Sequence, residues 1–175
     1  MLSKKMLAAL NEQVNAELYS AYLYLSMASH FKKTNLNGFA RWLEVQTLEE
    51  MSHAMKIYDF INDCGEQTIL APLEGPPAQW ESPLEAFEDA YRHEVKITGM
   101  IHNLVDLAIE EKDHASNTFL QWFVTEQVEE EASTDEVVQK LKLIKDTPGN
   151  LYLLDQELGR RLFTFPPGTT IIGGA

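Results

Sequence analysis

EEMSHAMKIYDFI, residues 49–61, puts a carboxylate and an imidazole where an apolar helix stripe should run unbroken. The stripe reads Leu36, Phe39, Leu43, Gln46, Glu50, His53, Ile57, Phe60 and Cys64. Its steps of three and four residues are the period of a helix that buries one face. Glu50 and His53 stand in its middle, three residues apart and therefore on a common face. Upstream, NEQVNAELYSAYLYLSMA at 11–28 lies on a stripe of Leu7, Leu10, Val14, Glu17, Ala21, Tyr24, Ala28 and Phe31, with Glu17 at its centre. Downstream, Phe87, Ala90, Glu94, Ile97, Ile101, Leu104 and Ala108 form a third stripe. Leu120, Phe123, Gln127, Glu130, Thr134, Val137, Leu141 and Ile144 form a fourth. Every stripe turns polar at mid-height.

Glycine and proline are almost absent before residue 65 and again between 84 and 147, where Leu, Ala, Glu and Gln dominate, so both regions read as helix. The breaks are TNLNG at 34–38, the stretch at 64–83, KDHAS at 112–116 and DTPGN at 146–150. They predict helices over about 3–33, 37–64, 83–112, 116–146 and 150–162, in one domain over 1–165 with a non-helical tail at 166–175. Ser3, Asn35 or Asn37, Ser82 followed by Pro83, and Ser116 are the expected N-caps. Long helices of roughly 27 to 30 residues span about 40 to 45 Å. The short turns force antiparallel neighbours, whereas the middle link can extend about 55 Å and return along the whole bundle. The expected fold class is all-α, a four-helix bundle with one long crossover and a short fifth C-terminal helix.

A carboxylate at a core position destabilises the fold unless it is paired or binds a metal. Four at one level demand partners, and Arg92 and Lys96 lie off the stripe of the third helix. A displacement of 77 residues maps Glu17 onto Glu94, Glu49 onto Glu126, Glu50 onto Gln127 and His53 onto Glu130, so the polar layer has approximate two-fold symmetry, as two adjacent ions require. Glu17, Glu50, Glu94 and Glu130 carry four negative charges, which match two divalent cations. Oxygen and imidazole donors suit Fe(II), Mn(II) or Zn(II) better than copper(I).

The remaining composition narrows the setting. The 175 residues are 45% hydrophobic, enough for one sizeable core, and 27 acidic against 14 basic residues leave a net charge of −13. That balance disfavours nucleic acid and anionic membranes and favours cations. The single cysteine, Cys64, suits a reducing compartment. No window approaches 18 consecutive apolar residues and no signal-peptide core is evident, so a soluble cytoplasmic protein is expected.

These blocks, with FVTEQVEEE at 123–131 and LYLLDQELGRRL at 151–162, resemble those of prokaryotic non-haem ferritins, members of the ferritin-like di-iron family. The resemblance covers about residues 3–165. It implies a ferroxidase that oxidises Fe(II) with O2 or H2O2 and deposits a ferric oxide-hydroxide mineral inside a hollow homo-oligomeric shell of 24 subunits. By resemblance, Glu17, Glu50 and His53 hold the first iron, and Glu50 bridges to a second held also by Glu94 and Glu130, with Gln127 close by. A third iron site towards the cavity corresponds to Glu49, Glu126, Glu129 and Glu130. Glutamine in Q-x-x-E, where haem-containing bacterioferritins have E-x-x-H, implies looser retention of the second iron and passage into a store.

Tyr24 either hydrogen-bonds a ligand, supplies an electron or packs in the core. Trp122 resembles a tryptophan near the same centre in relatives. Glu131 reads as part of a solvated face, and His30, His93, His102 and His114 as surface or boundary residues without a catalytic role. Met51 matches the position of the bacterioferritin haem ligand, yet methionine is also common there in non-haem ferritins, so haem is not expected. The competing readings are a retained di-iron oxidase or peroxidase, a haem-binding bacterioferritin-like protein, a metal-free structural bundle and a DNA-protecting miniferritin. With subunits this acidic, assembly is expected to weaken at low ionic strength, because salt screens their repulsion. Light scattering across ionic strengths tests this, and one unchanged large species throughout contradicts it.

Overall fold

The computed structural model describes residues 2–144 and 148–164. They form α1 (Lys4–Lys33), α2 (Asn37–Asp63), α3 (Pro83–Glu110), α4 (His114–Ile144) and α5 (Pro148–Leu158). No strand occurs among the described residues. Residues 145–147, which include part of the DTPGN break, and the tail expected at 166–175 lie outside them.

Two of the expected caps are in place. Ser3 Oγ accepts from Met6 N at 3.0 Å, and Ser82 Oγ accepts from Glu85 N at 3.1 Å with Pro83 opening α3. The other two differ. Helix α4 begins two residues before Ser116: Asp113 accepts from Ser116 N at 3.0 Å and from Ser116 Oγ at 2.6 Å, so the serine is the partner of an aspartate cap. Neither Asn35 nor Asn37 caps α2. Asn35 occupies the left-handed region at φ 61° to make the tight turn, Leu36 stands at the cap position, and Asn37 is already helical. The third helix stops at Glu110 before Lys112, which is also left-handed at φ 56°, and α5 stops at Leu158 before Gly159.

The N-terminus of α2 is satisfied from a distance. Asp155 of α5 accepts from Gly38 N at 2.7 Å and from Phe39 N at 3.1 Å with one oxygen, Oδ1. The first turn of a helix leaves N–H groups without intrahelical partners, and a carboxylate there also meets the positive end of the helix dipole. Gly38 permits this approach, since a Cβ at that position would overlap the Asp155 carbonyl. This contact ties the fifth helix to the bundle.

The apolar core has two parts. One joins the end of α1 (Tyr24, Phe31), the start of α2 (Phe39, Leu43), the start of α3 (Phe87) and the end of α4 (Val137, Leu141), with Leu154 and Leu158 of α5. The other joins the start of α1 (Met6, Leu10), the ends of α2 and α3 (Ile57, Ile61, Ile101, Leu104) and the start of α4 (Leu120, Phe123). This grouping makes α2 and α3 parallel to each other and antiparallel to α1 and α4, so the link between them must cross the length of the bundle. It does so beside α1: Ile69 N donates to Asn11 Oδ1 at 2.7 Å, Ser26 Oγ donates to the Pro77 carbonyl at 2.6 Å, and Trp80 packs edge-on against His30. The buried carboxylates occupy the level between the two apolar parts.

The Asp155 cap gives a stability test. Asp155→Ala is expected to cost about 1–2 kcal/mol, the usual loss for a deleted N-cap, whereas Asp155→Asn keeps an accepting oxygen and loses less. Thermal melting of the two variants measures this, and equal melting temperatures for Asp155→Ala and the unaltered chain contradict it.

Candidate metal centre

One side chain each from α1 and α3, and two each from α2 and α4, meet between the apolar layers. Glu17 comes from α1, Glu50 and His53 from α2, Glu94 from α3, and Gln127 and Glu130 from α4, all 1–4% exposed. Ligand-type atoms of Glu17, Glu50 and His53 lie within 4.8 Å of one another, as do those of Glu50, Glu94 and Glu130, and both sets could hold a metal ion. Glu50 is common to the two, which is the arrangement of a carboxylate between adjacent cations. Two buried atoms here have no hydrogen-bond partner, Glu17 Oε2 and His53 Nε2. Unsatisfied buried polar atoms are costly, and a cation would satisfy the carboxylate oxygen.

A ring of amides and hydroxyls orients the acids. Gln13 Nε2 donates to Glu17 Oε1 at 2.9 Å, one helical turn earlier on α1. Gln46 Nε2 donates to Glu50 Oε1 at 3.0 Å and to Glu130 Oε2 at 2.6 Å, linking α2 to α4. Tyr24 OH donates to Glu94 Oε1. Gln127 Nε2 lies 3.4 Å from Glu94 Oε2 and 3.2 Å from Thr98 Oγ1, and that hydroxyl donates to Glu131 Oε1 at 2.6 Å. Glu131 therefore supports the outer side of the cluster, where the sequence suggests only solvent. Gln127 meets the cluster through its amide nitrogen, as a donor to Glu94. Trp122 closes the side of His53, ring centroids 5.5 Å apart, with Lys56 Nζ 4.5 Å above the indole.

Burial sets the charge states. It is the largest influence on Glu17 and Glu130, and together with the neighbouring Glu50 it pushes each carboxyl up to about 8. Burial, then Glu50 and Glu130, hold Glu94 well above the usual carboxylate range. Burial also opposes the charge on Glu50, but the imidazole of His53, with Nδ1 3.5 Å away, outweighs it and lowers that carboxyl. The same carboxylates, Glu126 and Glu50 first, overcome the burial of His53 and hold its pKa well above the usual value. Without metal at neutral pH, the cluster is one Glu50–His53 ion pair surrounded by protonated acids. Tyr24 stays a neutral phenol, since burial and Glu94 raise it.

The residues expected at a third position are brought together only in part. Glu126 and Glu130 join His53 in a third group that could hold a metal, and His53 Nε2 lies 3.7 Å from Glu126 Oε1. Glu129 is exposed and belongs to none of the groups found among the described residues. Glu49 is paired with Arg161, Oε2 to Nη2 at 2.5 Å. Arg161 lies after the last helix and outside every heptad, so no stripe points to this partner of Glu49. His93 is also closer than its place on α3 suggests. It is half-buried, its Nε2 is 2.7 Å from Ser20 Oγ, and its ring stands edge-on to Tyr24 at 6.0 Å.

A pH dependence follows. Between about pH 4.5 and 8 the folded chain keeps protons on Glu17 and Glu130 that the unfolded chain has released, so metal-free stability falls as pH rises through that window. Melting in chelator should show this decline, flattened in Glu130→Gln and opposed by added divalent metal. A metal-free stability that rises with pH over the same window contradicts it.

Known proteins resemble this chain in sequence and fold. Residues 7–144 match the ferritin-like domain family. The bacterial non-heme ferritin of Staphylococcus epidermidis is 44% identical over 163 residues, covering 93% of this chain and 98% of the relative. That of Bacteroides fragilis is 40% identical over 161 residues, covering 92% and 100%. Among solved structures, a closed form of the Archaeoglobus fulgidus ferritin engineered by site-directed mutagenesis superposes with a TM-score of 0.92 at 54% identity, covering 94% of this chain and 100% of that one. An open-pore ferritin from the same archaeon gives 0.92 at 53% identity, covering 93% and 100%. With the family matched over most of its length and the carboxylate layer at mid-bundle, this chain belongs to the ferritins.

Proposed function

We propose that this chain stores iron, binding Fe(II) as substrate at the buried cluster, oxidising it there and passing it on as ferric mineral. One observation carries the reading: two ligand groups sharing Glu50 are buried at one level of the bundle, and none of the hydrogen bonds or ion pairs to these carboxylates comes from a lysine or arginine among the described residues. Glu17, Glu50 and His53 take one Fe(II), and Glu50, Glu94 and Glu130 take the other. Two Fe(II) give two electrons to O2, which with two protons becomes H2O2, or to H2O2, which with two protons becomes water. Each Fe(III) then reacts with two water molecules to form FeOOH and three protons.

The chain's own residues position and then release the iron. Gln13 and Gln46 fix the carboxylate oxygens of Glu17, Glu50 and Glu130, and the Tyr24 phenol holds Glu94. Four carboxylates balance two divalent ions but leave two ferric ions with excess positive charge, which favours hydrolysis and departure. Gln127, a neutral donor in place of a histidine ligand, loosens the second position further. No described helix is long and apolar enough to cross a membrane. Iron storage requires a shell, and we read the chain as a homo-oligomer of 24 subunits in the cytoplasm.

Aerobic loading with Fe(II) far beyond two per chain, followed by iron and protein assays across a sizing column, tests the function. Iron in large excess should co-elute with a particle of many subunits, and Glu50→Ala should slow the initial oxidation at least about tenfold, since even the loss of a partner that only orients a metal ligand costs that much. Saturation near two irons per chain points instead to a retained di-iron oxidase.

A further inference from the structure

Arg161 lies beyond α5, yet its guanidinium is built into the surface of α2 beside the metal cluster. Nη1 donates to Gln46 Oε1 at 2.9 Å, Nη2 donates to Glu49 Oε2 at 2.5 Å, and the group stacks on Trp42 with its carbon 4.1 Å from the ring centroid. The partners are sheltered, Arg161 at 20% and Glu49 at 18% side-chain exposure. Planar stacking and two directed donors pre-organise this guanidinium, so its position is specified from three sides. The contact with Gln46 also fixes the amide: with its oxygen accepting from Arg161, its nitrogen is the atom that faces Glu50 and Glu130.

Glu49 is one residue from Glu50, and it lies near enough to His53 and Glu126 for their charges to act on its carboxyl. Its carboxylate already has a cation of its own. A divalent ion bound to Glu49 would compete for the oxygen that Nη2 occupies, and it would stand against a positive charge that never titrates away. We propose that Arg161 is an internal competitor for the third metal position: it holds Glu49 out of the coordination shell, and a cation gains Glu49 only when the guanidinium leaves. Arg161 is thus a positioning residue that separates the paired positions, left free to bind metal, from an outer position that is blocked until it moves. This inference rests on the reading of the cluster as an iron-binding centre.

Anaerobic titration of the metal-free full-length protein with Co(II), followed by calorimetry and the cobalt absorption bands, tests it. Arg161→Gln should tighten the third equivalent by about tenfold, the scale of one lost charge-assisted hydrogen bond, whereas Arg161→Lys, which keeps the charge, should gain little. In a Glu49→Gln background the gain should vanish. A merely structural role predicts a lower melting temperature with no tighter third equivalent, and that result, or a gain that persists without Glu49, overturns the proposal. If the first two equivalents fail to bind the unaltered protein, the iron-binding reading falls and takes this inference with it. If the first two equivalents bind and Arg161→Gln folds without tightening the third, the role of Arg161 alone is refuted.

Should Arg161→Gln not fold, crystals of the unaltered protein soaked in Zn(II) decide the matter by anomalous scattering. An ion on Glu49 with Arg161 detached supports the proposal, as does Arg161 still on Glu49 with filled paired positions and no ion there. An ion ligated by Glu49 while the guanidinium remains bonded to it overturns it.

Discussion

Burying Glu17, Glu50, Glu94 and Glu130 at one level of a helical bundle is the constraint to which the rest of the molecule answers. An ionised carboxylate in an apolar interior is strongly disfavoured unless paired, and among the described residues one of the four is paired with a cationic side chain, Glu50 with His53. The others remain protonated when no metal is present, so the metal-free cluster is neutral. In the proposed function two divalent cations take the place of those protons, and that exchange gives a destabilising arrangement its use.

The two-part core follows from that constraint. Apolar packing is continuous above and below the acids, with Phe31, Phe39 and Phe87 clustered on one side and Phe60, Phe119 and Phe123 on the other. The stability given up in the middle layer is recovered at the two ends. The crossover keeps α2 and α3 parallel, so that the paired acids of α2 and α4 face Glu17 and Glu94 at one height. Gln13, Gln46 and Tyr24 hold the acids in register through hydrogen bonds, and Thr98 accepts from Gln127. At the far end, Asp155 and Gly38 anchor α5, and that helix carries the chain on to Arg161 beside Glu49.

The bundle and the cluster were both legible in the sequence because each depends on a periodic pattern. Stripes with polar members at mid-height specify which face is buried and which residues share a level, and the 77-residue repeat pairs them. What escaped was set by contacts without a period. Asp155 capping α2 across the fold has no local signal, and it made Asn35 and Asn37 look like caps when the first was needed for a left-handed turn. Asp113 displaced Ser116 as a cap because both are good cap residues and only the turn geometry at Lys112 chooses between them. Arg161 sits outside every stripe. Glu129, adjacent to a buried acid in a run of glutamates, reads like its neighbours but points to solvent, since one residue along a helix is a turn of about 100°.

The most direct test of the two-form cluster is the count of protons exchanged for metal. Zn(II), which has no redox chemistry, is titrated calorimetrically into metal-free protein at pH 7 in buffers of differing ionisation enthalpy. The account predicts two ions at the paired positions with about four protons displaced, three from Glu17, Glu94 and Glu130 and one from His53. Binding heats that do not vary with the buffer would mean that no proton leaves, which contradicts it.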